Sequence, residues 1–126
     1  MSEHRRQILV VEDEADIRRL VRYNLEQEGY TLFEAADGEE ALAIAEANAG
    51  SIDLMISDVI MPGLDGPHLL RAARPFLGDC PVMFISGYAE AEFSDLLEGE
   101  SGVSFLAKPL DIMSLAERVK EQMRAP

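Results

Sequence analysis

Short apolar runs alternate along the chain with longer stretches in which apolar residues return every three or four positions. The first pattern predicts buried strands and the second predicts amphipathic helices. Gln7 to Val11 reads as a strand, followed at once by Glu12, Asp13 and Glu14. Ile17, Leu20, Val21 and Leu25 then predict a helix that Gly29 closes. Tyr30 to Ala35 is a second strand, and Asp37-Gly38 turns the chain into an alanine-rich helix from Glu39 to Ala49. Leu54 to Ser57 is a third strand that runs into Asp58. The stretch Met61-Pro62-Gly63-Leu64-Asp65-Gly66 is rich in turn formers. Pro67 suits the first turn of a helix reaching roughly to Arg74, because its missing N–H would have no partner there. Val82 to Ser86 is a fourth strand, and Glu90 to Leu97 an acidic helix. Ser104 to Ala107 is a fifth strand, and Ile112, Leu115, Val119 and Met123 mark the stripe of a last helix.

Strands that alternate with helices predict an α/β fold with a parallel sheet covered on both faces. Right-handed crossovers leave few topologies. Ligands in such sheets lie beyond the C-terminal ends of the strands. Glu12 and Asp13 follow the first strand, and Asp58 follows the third. Ser86 ends the fourth, and Lys108-Pro109 follows the fifth. All of these positions are expected at one edge of the sheet. Ionised carboxylates packed together repel one another unless a cation intervenes. Glu12, Asp13 and Asp58 with Lys108 suit Mg2+, which takes a few carboxylates, waters and phosphate oxygens. Each residue alone has a plainer reading. The acid run could be a solvated helix start, Asp58 an ordinary strand-end acid, Ser86 a strand terminator and Lys108-Pro109 a turn. The joint pattern carries the specificity.

Composition narrows the classes. The chain has 126 residues, enough for one domain with one core, and 48% of them are hydrophobic. Its formal net charge of −13 disfavours direct binding to nucleic acid or to anionic membrane surfaces. Cys80 is the only cysteine, so no intrachain disulfide can form. The opening MSEHRRQ leads into an apolar run too short for a signal-peptide core or a membrane span. A cytoplasmic location is expected. His4 and His68 lack metal-ligand spacing, and the six methionines read as core fillers.

The runs ILVVEDE, DLMISDVIMPGLDG, FISG and FLAKP, in that order, resemble the receiver family of two-component signalling, the CheY-like domains. The resemblance spans nearly the whole chain, so residues 1–126 are expected to form a single receiver domain. It implies a five-stranded (βα)5 sheet in the order 2-1-3-4-5. It further implies that Asp58 is the phosphoacceptor and that Asp13 is a direct Mg2+ ligand. Glu12 would act largely through water, and Ile60 would offer its backbone carbonyl to the metal. Ser86 resembles the switch hydroxyl, Phe105 the switch aromatic, and Lys108 the cation that pairs with the phosphoryl group, with a cis bond to Pro109. The runs FISGYAEAEF and FLAKPLDIMSLAERVK also resemble receivers at the C-terminal end of cell-cycle-type hybrid histidine kinases, and some single-domain response regulators. The implied partner is a histidine kinase or histidine phosphotransferase, docking on Ile17, Leu20, Pro109 and Leu110. Such a domain catalyses its own phosphorylation and dephosphorylation without turning over a separate substrate. Ile60 and Tyr88 are bulky where rapidly hydrolysing receivers carry polar residues, which implies a long-lived acyl phosphate. A small phosphatase would also place an aspartate nucleophile after a strand, but it normally needs a substrate pocket or cap that this length does not provide. A degenerate, binding-only receiver is disfavoured by the intact Asp13, Asp58, Ser86 and Lys108.

Overall fold

The computed structural model describes residues 6–86, 100 and 102–124. Five strands form one parallel sheet: β1 (Gln7–Val11), β2 (Thr31–Ala35), β3 (Leu54–Asp58), β4 (Val82–Ser86) and β5 (Val103–Ala107). Their order is β2-β1-β3-β4-β5, as the family resemblance implied. The helices among the described residues are α1 (Ala15–Gln27), α2 (Gly38–Ala47), α3 (Gly66–Leu77) and α4 (Ile112–Arg124). The acidic helix expected over 90–97, and Tyr88, lie outside the described residues.

Alternation along each strand divides the core in two. Leu9, Val11, Met55 and Phe84 face one way and pack with Leu69, Leu70 and Ala73 of α3 and Ala41 and Ala45 of α2. Ile8, Val10, Ile56, Met83 and Ile85 face the other way, against Val21 and Leu25 of α1 and Leu115 and Val119 of α4. Covering on both faces explains why residues 8–11, 54–56 and 82–85 read as unbroken apolar runs. No described helix is long and apolar enough to cross a membrane.

Two helix bounds differ from those expected, and Leu20 stands apart from the rest of the α1 pattern. Leu20 does not join the buried stripe of α1 and is 47% exposed. It is turned about 60° from Ile17 around the helix axis, whereas Val21 and Leu25 return toward the sheet. The helix expected to end at Arg74 runs on to Leu77, with Pro75 inside it. Burial of Ala73 and Leu77 outweighs the bond that proline removes. Arg74 then holds the chain beyond the helix, its Nη1 donating to the carbonyls of Gly78 and Cys80 at 2.8 Å each. Finally, α2 starts one residue before the expected Glu39. Asp37 caps it by accepting from the Glu40 N–H at 2.8 Å, while Glu40 reaches back to the Ala36 N–H.

Candidate functional site

Strand register brings the candidate residues together. Val11 lies opposite Ser57, Asp58 opposite Ile85, and Ser86 opposite Ala107. Glu12, Asp58, Ser86 and Lys108 therefore end or follow neighbouring strands on the C-terminal edge of the sheet. The Lys108 N–H donates to the Ser86 carbonyl at 3.0 Å and continues the β4–β5 ladder one step past β5. The Lys108-Pro109 peptide bond is cis.

Asp58 is only 7% exposed. Its Oδ2 accepts a hydrogen bond from Lys108 Nζ at 2.8 Å. Burial alone would lower the Lys108 pKa. The hydrogen bond and charge of Asp58, with the charges of Glu12 and Glu14, outweigh it and hold the ammonium above its ordinary range. Glu12, Asp13 and Asp58 each offer a carboxylate oxygen, and these oxygens lie within 4.8 Å of one another. Glu12 is 3% exposed while Asp13 is exposed. Burial pushes the Glu12 carboxyl up to about 7, and the charge of Asp58 adds to that, against a hydrogen bond from the Glu14 N–H. The arrangement is an oxygen-rich cluster of acids with Lys108 at its side. Hard divalent cations are bound by such donors.

The remaining candidates lie around this centre. Ser86 is buried at the end of β4. Phe105 is half-buried in mid-β5, and its ring lies 5.7 Å from that of Phe84, tilted by 40°. Ile60 stands in the loop after Asp58, 52% exposed. Ile17 and Leu110 are half-buried against the core beneath α1 and α4. Leu20 and Pro109 are exposed. His68, read as incidental, belongs to a helix cap: Asp65 Oδ1 accepts its N–H at 2.9 Å at the start of α3.

One residue that the sequence marks only as a turn former also shapes the site. Gly66 packs the first turn of α3 under β3, its N–H donating to the Val59 carbonyl at 2.8 Å. A Cβ there would stand 2.7 Å from the Asp58 carbonyl oxygen and 2.7 Å from the Phe84 ring. The turn-rich loop made a glycine unsurprising, and only the three-dimensional approach shows why a side chain is excluded. Gly66→Ala should lower folding stability by about 1–3 kcal/mol through overpacking. Denaturant unfolding of the two proteins checks this, and equal midpoints would contradict it.

The family model for the response regulator receiver domain matches residues 8–120. Over 92% of its length the chain is 44% identical to the sensor kinase CckA of Brucella abortus, of which the match covers 12%. Over 94% of its length it is 38% identical to the alkaline phosphatase synthesis transcriptional regulatory protein PhoP of Bacillus subtilis, of which the match covers 49%. The chain thus spans less than half the length of either relative. Among solved structures, the receiver domain of a hybrid histidine kinase CckA is 58% identical, with a TM-score of 0.84, covering 94% of this chain and 99% of that one. The chemotaxis protein CheY4 of Vibrio cholerae is 28% identical, with a TM-score of 0.85, covering 94% and 98%. A match of this extent, on a five-stranded sheet of this order with its acids and lysine at one edge, places the chain in the response regulator receiver domain family.

Proposed function

We propose that the chain is a phosphoacceptor that receives a phosphoryl group from a phosphohistidine onto Asp58. The observation that carries this reading is the pairing of Asp58 with Lys108 at 2.8 Å beside a cluster of carboxylates at the strand ends. A carboxylate oxygen of Asp58 attacks phosphorus as the P–N bond to the donor imidazole breaks, and the imidazole leaves with that electron pair. Lys108, already beside the acceptor, follows the charge onto the phosphoryl oxygens. Asp13, Asp58 and the Ile60 carbonyl would hold Mg2+, with Glu12 acting largely through water. When bound, Mg2+ neutralises charge on the phosphoryl oxygens. The clustered carboxylates of Glu12, Asp13 and Asp58 fit that ion, because it relieves their mutual repulsion. Ser86 would hydrogen-bond the new phosphoryl group. Phe105 would deepen its packing beside Phe84 and carry the change to the surface of β5. Incubation with Mg2+ and a small phosphodonor tests the reading: one acid-stable, hydroxylamine-labile phosphoryl group should form per chain, and none in EDTA.

We place the whole chain in this role as one receiver unit, with a histidine kinase or histidine phosphotransferase as its partner. Its acidity favours protein partners over nucleic acid or anionic lipid. Ile17, Leu20, Pro109 and Leu110 would form the docking face. Ile17 divides its surface between the core and the solvent, so Leu20 gives the cleaner test. Leu20→Asp should leave phosphorylation by a small donor unchanged. Transfer from a phosphohistidine protein should fall about tenfold, the effect of losing about 1.4 kcal/mol at an interface. Equal transfer rates would remove Leu20 from the docking face. The exposed Ile60 would shield the phosphoryl group from water and lengthen its life.

A further inference from the structure

The segment that carries Glu12 and Asp13 is short and strongly negative, and α1 gives it no side-chain cap. The N-cap residue Glu14 makes no side-chain capping bond. The main chain is instead held by a side chain from the second turn of the helix. Arg18 Nη1 donates to the Glu12 carbonyl oxygen at 2.7 Å. Arg18 Nε donates to Glu34 Oε1 at 3.3 Å. Glu34 lies on β2, opposite Val10 of β1, and its other oxygen accepts from Arg22 Nη1 at 2.6 Å. The side chains of Arg18 and Glu34 are 20% and 27% exposed, so the pair is partly shielded from solvent.

Around this contact the segment is tied on several sides. The Glu12 N–H donates to the Ala35 carbonyl at 3.1 Å, and the Arg18 N–H donates to the Glu14 carbonyl at 3.0 Å. Glu12 Oε2 accepts from the Glu14 N–H at 3.1 Å. Arg18 is the one of these ties that a single side-chain change removes without touching the acids themselves.

We propose that Arg18, steadied by Glu34, is a positioning residue for the acidic cluster: it fixes the peptide after β1 so that Glu12 and Asp13 present their carboxylates together with Asp58. The proposal rests on the reading that this cluster binds Mg2+. Preorganisation is the physical content. A segment already ordered loses less conformational entropy when a cation binds. The guanidinium of Arg18 reaches the carbonyl and Glu34 at once from different nitrogens of its planar fork, which the ammonium of lysine cannot reproduce.

The sign of the effect separates this role from plain electrostatics. Arg18 is positive, so its charge alone opposes a nearby cation, and removing it would tighten Mg2+ binding. The brace predicts the reverse. Mg2+ titration by calorimetry, on the full chain, compares the wild type with Arg18→Met, Arg18→Lys, Glu34→Gln and Asp13→Ala, and thermal unfolding without Mg2+ verifies each fold. Arg18→Met should bind Mg2+ about tenfold more weakly, the scale of supporting contacts at metal sites. Arg18→Lys should fall between Arg18→Met and the wild type. Glu34→Gln should weaken binding about threefold, and the Arg18→Met/Glu34→Gln double variant should bind no worse than Arg18→Met, because the two act as one unit. If Arg18→Met does not fold, Arg18→Lys carries the test, because it keeps the charge and removes only the planar fork, so weaker binding there reads the brace alone. Unchanged or tighter binding in the folded variants, with the wild type binding and Asp13→Ala binding more than tenfold more weakly, would overturn the proposal while leaving the site reading intact. No Mg2+ binding by the wild type would overturn both.

Discussion

Lys108→Met should slow phosphorylation of Asp58 by a small phosphodonor about a hundredfold, the scale on which one preorganised charge-stabilising donor contributes to a reaction. Methionine keeps an unbranched apolar stem of similar length and carries no charge. That ammonium sits 2.8 Å from Asp58 Oδ2 and is held in its charged form by the surrounding acids. In the proposed transfer charge would pass to the phosphoryl oxygens, and Lys108 is the side-chain cation bonded to Asp58 among the described residues. The variant also leaves a buried carboxylate without its partner, which is costly when nothing replaces the lost charge. Its melting temperature should therefore fall in EDTA and recover on adding Mg2+. Single-turnover labelling at saturating Mg2+ measures the effect. A rate within twofold of the wild type would mean that Lys108 is only a structural counter-ion.

Asp13→Ala should weaken Mg2+ binding more than tenfold, beyond the loss that follows removal of a merely supporting contact. Asp13 is the exposed member of the three clustered acids, and so the one open to an incoming hydrated ion. Glu12 cannot easily replace it. Its burial raises its pKa to about 7, which leaves it partly protonated near neutral pH and already bonded to the Glu14 N–H. The fold itself should not suffer. Removing one of three mutually repelling carboxylates relieves strain in the metal-free protein, so the melting temperature in EDTA should hold or rise. Calorimetric titration and thermal unfolding read the two effects separately. Unchanged Mg2+ affinity would move the metal away from this cluster.

The sheet was legible because it is buried on both faces. The runs in β1, β3 and β4 could be read as strands without reference to periodicity, and their C-terminal ends pointed to the acids and the lysine. The last helix was legible for a different reason: Leu115, Val119 and Met123 repeat at helical spacing and all turn inward. Helix ends were less so. Pro75 signals a stop by its chemistry, yet core contacts made by Ala73 and Leu77 carry α3 past it. Leu20 matched the apolar spacing of α1 but faces outward, since spacing does not set how wide a stripe the sheet can cover. The strand order itself came from resemblance, because right-handed crossovers alone leave more than one arrangement.

At the site, the residues that carry charge were legible and those that place them were not. Glu12, Asp13, Asp58 and Lys108 announce themselves by type and by their place after strands. Gly66 and Arg18 act through backbone atoms of other residues, the carbonyls of Asp58 and Glu12. No pattern along the chain reports that an arginine one turn into a helix will reach back to a carbonyl, or that a loop glycine will lie against one.

The identity of the acceptor decides whether the chain works as proposed. The direct test is to label the protein with a small phosphodonor and Mg2+, reduce the acyl phosphate with borohydride, and map the modified residue by mass spectrometry alongside Asp58→Asn. The predicted result is modification at Asp58 alone in the wild type and none in the variant. Full labelling of Asp58→Asn, or modification mapped to another carboxylate in the wild type, would contradict it.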